Sequence, residues 1–353
     1  MRWADIDLDS VRANAATIVA HLPKGTKLFA VVKANGYGHG SLRVARAALN
    51  GGAWGLAVAT LEEADELSVL VKPARLLVMG GLTPRQASAA AAGGFSIGVS
   101  NLEFAKALAD RDQVVPVHLK IDTGMGRFGC RPDEAAAIAR FIAEAPALLL
   151  EGTWTHFASA DSDEAMTRKQ FDRFTAALET FEVEPGIRHA CNSAGARKFP
   201  QFALDAVRAG IALYGCEWPG TRPALSLRSV VTHLKTVVPG DTVGYGATWR
   251  ATTRTPVATV AIGYADGVHR ARSNRGHVLI RGHRAPLIGV VSMDAITVDA
   301  SNVPGIKVGD VVTLIGEDHA DRISAEQVAD WSGTISWEVL TSIGPRVEKR
   351  YSE

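Results

Sequence analysis

In the stretch FAVVKANGYGHG, Phe29 to Gly40, an apolar β-type run ends in a lysine. Lys33 is thus an amine at the mouth of a buried strand, a setting in which lysine serves as base or carbonyl nucleophile. Other reactive types follow similar runs: Lys120 and Arg127 in KIDTGMGR, His156 in WTH, and His189 and Ser193 in HACNS. Arg208 then precedes Gly210, Ile211 and Tyr214. The set is poor in carboxylates, which argues against a metal site. It has no G-x-S-x-G elbow, and Gly36, Gly38 and Gly40 form neither a P-loop nor G-x-G-x-x-G. A serine hydroxyl and accessible backbone N–H groups at 193, 210 and 211 suit a phosphate. A lysine combined with a phosphate cradle implies an aldehyde cofactor anchored by phosphate. Pyridoxal phosphate, held on Lys33 as a Schiff base, is the natural candidate. Singly, each residue has a plainer role: Lys33 on the surface, His156 in a core, Ser193 as a helix cap, Arg127 and Arg208 in rim ion pairs. Their joint occurrence at strand ends is what favours chemistry.

The elements that must position these residues are short strands alternating with Ala-rich helical patterns. The strands read as 28–32, 54–58, 76–79, 95–99, 114–121, 148–155, 188–192 and 206–208. Helices are expected at 10–18, 41–49, 61–70, 84–92, 102–109, 132–143 and 164–181, with start signals at Thr60/Glu63, Thr83-Pro84 and Ser100/Glu103. Eight such repeats predict a (β/α)8 TIM-like barrel over residues 8–220, with chemistry at the C-terminal ends of its strands. An open doubly wound sheet also alternates and remains the other reading. After Trp218-Pro219-Gly220 the helical texture gives way to short strands and turn dipeptides. An all-β domain is expected over 221–353, with residues 1–7 as a strand packing with it and helices only near 325–331 and 337–342.

Thirty-eight basic and 37 acidic residues leave almost no net charge, so nothing favours nucleic acid or an anionic membrane as partner. Three cysteines with no CxxC pair make a disulfide framework or structural zinc site unexpected. The N-terminus lacks the apolar core of a signal peptide, and no run is long enough to span a membrane, so a cytoplasmic location is expected.

The motifs AVVKANGYGHG, HLKIDTGMGRFG, THFASAD, HACNSAG, RAGIALYG, VGYGATW, ATVAIGYADG and GVVSMDAITVD occur in this order along nearly the whole chain. In these the chain resembles the alanine racemases, isomerases of the fold-type III pyridoxal-phosphate class. The resemblance implies racemisation of L- and D-alanine, supplying D-alanine for peptidoglycan or its catabolism, by a homodimer with shared active sites. A broader-specificity amino-acid racemase of the same architecture is the alternative. Lys33 would carry the cofactor and act as base on the D-alanine side. Tyr245, from the partner subunit, would be the base for L-alanine. Tyr37, Ser193, Gly210, Ile211, Tyr264 and the Tyr214 region would hold the phosphate, with the alternating glycines leaving backbone space beside Tyr37. Arg208 would meet the pyridine nitrogen, and His156 would link Arg208 to Tyr245. Arg127 and the backbone N–H of Met293 would bind the substrate carboxylate. Lys120 matches a lysine carbamylated in many members that orients Arg127, and Asp294 lies beside Met293. The C-terminal SIGPRVEKRY departs from members that carry an entrance tyrosine there, and Tyr351 stands several residues later.

Overall fold

The computed structural model describes residues 1–70 and 75–353. Strand β1 is Trp3–Asp7. Eight parallel strands then close on themselves: β2 Lys27–Val31, β3 Gly55–Val58, β4 Leu76–Val78, β5 Ser96–Val99, β6 Val115–Lys120, β7 Leu148–Trp154, β8 Ile187–His189 and β9 Ala206–Ala209. Pairing of β2 with β9, Lys27 opposite Ala206 and Ala30 opposite Ala209, completes the ring and rules out an open sheet. Parallel strands covered on both faces need unbroken apolar runs. Leu28–Val31, Gly55–Val58 and Leu76–Val78 are buried throughout for that reason.

The connecting helices begin where local chemistry satisfies their first N–H groups. Thr60 and Glu63 form a reciprocal capping box for Leu61–Leu67. Thr83 and Gln86 pair across Pro84 at the next start. The helix Leu102–Ala109 starts differently from expectation: Asn101, not Ser100, is its cap and accepts the Phe104 N–H at 2.8 Å. Asn101 directly precedes the first helical residue, so its side chain reaches the third N–H, as a cap must.

The chain divides into two compact units, Val11–Gly36 with Ser41–Thr221, and Met1–Ser10 with Tyr37–Gly40 and Arg222–Glu353. The first holds the barrel. The second is built on β10, Leu225–Val237, whose first residues alternate between buried and half-buried. β10 pairs antiparallel with β1 and with strands Thr255–Val260 and Val311–Asp318, and β1 pairs in parallel with Glu348–Ser352. The helix Ala325–Ser332 opens on a Ser324/Gln327 capping box and stops at Gly333, which takes the left-handed conformation. Among the described residues no helix is long and apolar enough to cross a membrane.

Candidate active site

Lys33 follows β2 directly and opens an unusual turn. Ala34, Asn35, Gly36 and Tyr37 have φ of 51°, 52°, 60° and 51°, a single left-handed turn. Each non-glycine residue loses about 1–2 kcal/mol in that conformation, so neighbours must hold it. Glu63 does so: its Oε1 accepts the Ala34 N–H at 2.7 Å while its Oε2 accepts the Ala59 N–H at 2.8 Å. Asn35 Oδ1 accepts the Ser41 N–H at 3.1 Å. The capping-box glutamate therefore also fixes the base of Lys33, a role that its spacing alone did not disclose. Burial lowers the Lys33 pKa, the Arg127 cation lowers it further, and the Glu63 carboxylate opposes them.

Gly38 and Gly40 also answer to packing within the chain. A Cβ on Gly38 would lie 2.3 Å from the Leu340 carbonyl oxygen, and one on Gly40 would lie 2.1 Å from the Tyr351 hydroxyl. Within the second unit these glycines make room for the C-terminal helix and strand. Tyr351 is thereby seated against Gly40. Tyr37 is buried, which pushes its hydroxyl up to about 12. It remains an O–H donor at any physiological pH.

The rim of the barrel gathers cations. Lys33, Lys120, Arg127 and Arg208 all act on His156, holding the imidazole far below its ordinary value; burial is the largest cause and Arg208 the next. Lys120, at the end of β6, lies 4.4 Å from the Trp154 ring and 5.2 Å from that of Phe128. Burial first, then Arg127 and Arg208, bring its pKa down to about 7, partly opposed by Asp122. Asp122 accepts from the N–H groups of Gly124, Met125 and Gly126 at 2.8–3.1 Å and so shapes the loop that presents Arg127. So many cations with few carboxylates make a rim that attracts anions.

Arg208 on β9 is 2% exposed. Its Nη1 donates to His189 Nδ1 at 2.7 Å and to the His189 carbonyl at 3.1 Å. Its Nη2 donates to the carbonyls of Thr155 and Ala190, each at 2.8 Å, and more weakly to His156 Nδ1 at 3.3 Å. The four Nη hydrogens are thus committed. The buried Nε–H has no hydrogen-bond partner among the described residues. Burial pulls the guanidinium down to about 9, still above neutrality, so it stays a cation. Because Arg208 donates to Nδ1 of His156, the neutral imidazole carries its proton on Nε2.

Ser193 is not the helix cap. Asn192 takes that role, accepting the Gly195 N–H at 2.9 Å. Ser193 Oγ instead accepts the Gly210 N–H at 3.0 Å, which leaves its own O–H to donate. Ile211 opens the short turn after Gly210. Tyr214, placed near the phosphate by sequence, is buried and donates to the Val31 carbonyl at 3.1 Å, a core role.

Tyr245, Tyr264, Met293 and Asp294 belong to the second unit. Tyr245 opens the turn between paired strands Thr242–Val243 and Trp249–Arg250, and Val243 and Trp249 of these strands pack with Val237, Ala251, Val257 and Ile288. Tyr245 itself is 73% exposed, Tyr264 44% and Met293 51%. Tyr245 lines a depression with Val290, Ser292 and Thr297. The Tyr264 and Ala265 N–H groups donate to the carbonyls of Ser292 and Met293 at 3.0 and 3.1 Å, which locks the two loops together. Arg346, in the divergent C-terminal segment, donates to Asp266 at 2.9 Å and to Asp294 at 2.8 Å, and Arg2 donates to Asp266 at 2.5 Å. Arg346 thus braces the Met293 loop from a segment whose role sequence left blank.

Residues 6–217 match the family model for the alanine racemase N-terminal domain, and residues 224–351 match that for the C-terminal domain. The chain is 40% identical to an alanine racemase of Desulforamulus reducens, over 99% of this chain and 98% of that one. It is 38% identical to alanine racemase 2 of Bacillus subtilis, over 99% and 94%. The alanine racemase of E. faecalis superposes with a TM-score of 0.93 at 35% identity, covering 99% and 98% of the chains. That of Bacillus anthracis, solved with bound L-Ala-P, superposes at 0.91 with 37% identity, covering 100% and 95%. The chain belongs to the alanine racemase family.

Proposed function

We propose that this chain interconverts L- and D-alanine using pyridoxal phosphate, with Lys33 and Tyr245 moving the Cα proton on opposite faces of the substrate. The observation that carries the cofactor is the spare Nε–H of buried Arg208. A buried donor needs an acceptor, and an unprotonated pyridine nitrogen is one. Arginine gives up its proton reluctantly, so this nitrogen keeps its lone pair. When bound, the cofactor withdraws electrons from Cα and acidifies its hydrogen. Without a proton on the ring nitrogen that withdrawal is weaker, which favours rapid return of the proton over side reactions.

The remaining roles belong to the chain. Lys33 Nζ holds the cofactor and takes the proton of D-alanine. Its lowered pKa brings the amine closer to the neutral form that a base requires. Tyr245, contributed by the partner in a head-to-tail homodimer, takes the proton of L-alanine, and the Nε2–H of His156 supports its phenolate. Tyr37, Ser193, Gly210, Ile211 and Tyr264 hold the phosphate, Ser193 through the O–H that its bond from the Gly210 N–H leaves free to donate. Arg127 and the Met293 N–H bind the substrate carboxylate, and Asp294 follows Met293. A lysine whose pKa is about 7 is about half uncharged at neutrality and increasingly so above it, and that form can take up carbon dioxide. A carbamate on Lys120 would then orient Arg127.

The test is a chiral assay of purified protein with pyridoxal phosphate on L-alanine, L-serine and L-lysine. Conversion of alanine alone, dependent on added cofactor, is expected. Comparable turnover of all three would point to a broad-specificity racemase, and no turnover of any would overturn the reading.

A further inference from the structure

Five successive barrel strands each contribute one member to a continuous polar chain, buried except at Glu151, which is partly exposed. Ser96 on β5 donates its hydroxyl to Glu151 Oε2 on β7. Glu151 Oε2 meets His118 Nε2, on β6, at 3.1 Å. His118 Nδ1 meets His189 Nε2, on β8, at 2.8 Å, and His189 Nδ1 meets Arg208 Nη1, on β9, at 2.7 Å.

The ends of this chain dictate its direction. Arginine can only donate, so His189 Nδ1 accepts and its proton sits on Nε2. That proton points at His118 Nδ1, which must therefore accept, so the His118 proton also sits on Nε2. It is donated to Glu151, an acceptor when ionised. Both histidines are thereby neutral Nε2–H tautomers, and every bond runs from the guanidinium toward the carboxylate. The packing fixes the rings in place. Trp154 stacks on His189 with 1° between planes, and Phe29 sets its ring against both imidazoles. Gly152 completes the fit, since a Cβ there would fall 2.5 Å from His118 Nδ1.

Two buried histidines could be satisfied by backbone carbonyls alone. These two instead join the barrel guanidinium whose buried Nε–H is spare to a carboxylate two strands away. We infer that Glu151, acting through His118 and His189, is the counter-charge of Arg208, and that the three are positioning residues for the guanidinium. They stop its rotation, so that Nε–H is the donor left over, and they supply negative charge without placing a carboxylate near the cofactor. This rests on the reading that Arg208 Nε–H donates to the cofactor's ring nitrogen. Glu151 was invisible to motif reading, but a glutamate in LLLEGTW and a histidine in VPVHLK, each interrupting an apolar barrel strand, are the signals that mark it.

The test is 15N NMR on holoenzyme carrying ring-15N pyridoxal phosphate and 15N-labelled histidine. In the unmutated enzyme His118 and His189 should both appear as neutral Nε2–H tautomers; an Nδ1–H or imidazolium signal from either would overturn the relay. Glu151→Gln, which keeps shape and removes charge, should shift the ring-nitrogen signal. It should also weaken cofactor affinity and lower kcat about tenfold with KM changed less than twofold. An unchanged ring-nitrogen signal and kcat would mean that the chain only fills the core. A protonated ring nitrogen in the unmutated enzyme would instead refute the reading of Arg208 itself, so the two failures are distinguishable. Should Glu151→Gln fail to fold, the tautomers of the unmutated enzyme still decide.

Discussion

The barrel rim and the Tyr245 turn present their proposed proton-moving groups in opposite ways. Lys33 is half-buried, held by a left-handed turn that Glu63 braces and lowered in pKa by burial and Arg127. Tyr245 stands 73% exposed on a glycine-flanked turn, while the residues behind it are well packed. One group has its environment built by its own chain. The other is a reactive side chain displayed on a rigid mount. That contrast fits a base whose working surroundings come from a second copy of the chain.

The comparison can be broken most severely at the two groups themselves. Tyr245→Phe should slow exchange of the L-alanine Cα proton in deuterated water by about 10²–10⁴-fold. Exchange from D-alanine should persist, and stability should stay within about 0.5 kcal/mol, as for an exposed side chain. Full exchange from L-alanine would remove Tyr245 from the mechanism. Glu63→Ala probes the opposite design. Loss of the Ala34 anchor should relax the turn and reduce kcat/KM about tenfold, equivalent to about 1.4 kcal/mol, although Glu63 touches no reacting atom. Unchanged kinetics would show that the left-handed turn holds itself.

A finer test uses the cation crowd. With Lys120 at about 7 in the fold against 10.5 ordinarily, the unfolded chain binds more protons between those values, so stability rises with pH across that window. Lys120→Met should therefore raise the melting temperature of cofactor-stripped protein in CO2-free buffer most below pH 7. The gain should fade toward pH 10.5. A gain independent of pH would mean that the lysine is not destabilised by its neighbours. Smallest is Arg346→Ala, which leaves Asp266 paired with Arg2 and removes only a solvent-exposed brace. In urea denaturation this would lower the midpoint, with KM for alanine rising as the Met293 loop loosens. No change in either would reduce Arg346 to a surface ion pair.

The barrel was legible because its strands are apolar runs punctuated by caps and glycines, signals that act within a few residues. The rim residues followed, since a barrel puts strand ends on one face. What was not legible depended on contacts across the chain. Ser100 and Asn101 are both capping types, and only backbone geometry chooses between them. Ser193 and Asn192 pose the same ambiguity, and its resolution leaves Ser193 to meet Gly210. Gly38 and Gly40 answer to Leu340 and Tyr351, some 300 residues away in sequence. Glu63 reads as a cap and is one, and its second oxygen, on Ala34, has no local signature. His118 and Glu151 belong to no motif, and only pairing of adjacent strands joins them to Arg208.

The central claim is that each active site takes Lys33 from one copy and Tyr245 from the other. Lys33→Ala and Tyr245→Phe proteins, each inactive in L-to-D conversion alone, should be co-refolded and the heterodimer isolated by orthogonal tags. A shared site predicts recovery of about half of the wild-type rate, because one of the two sites then contains both intact groups. Heterodimers that remain inactive would contradict the account.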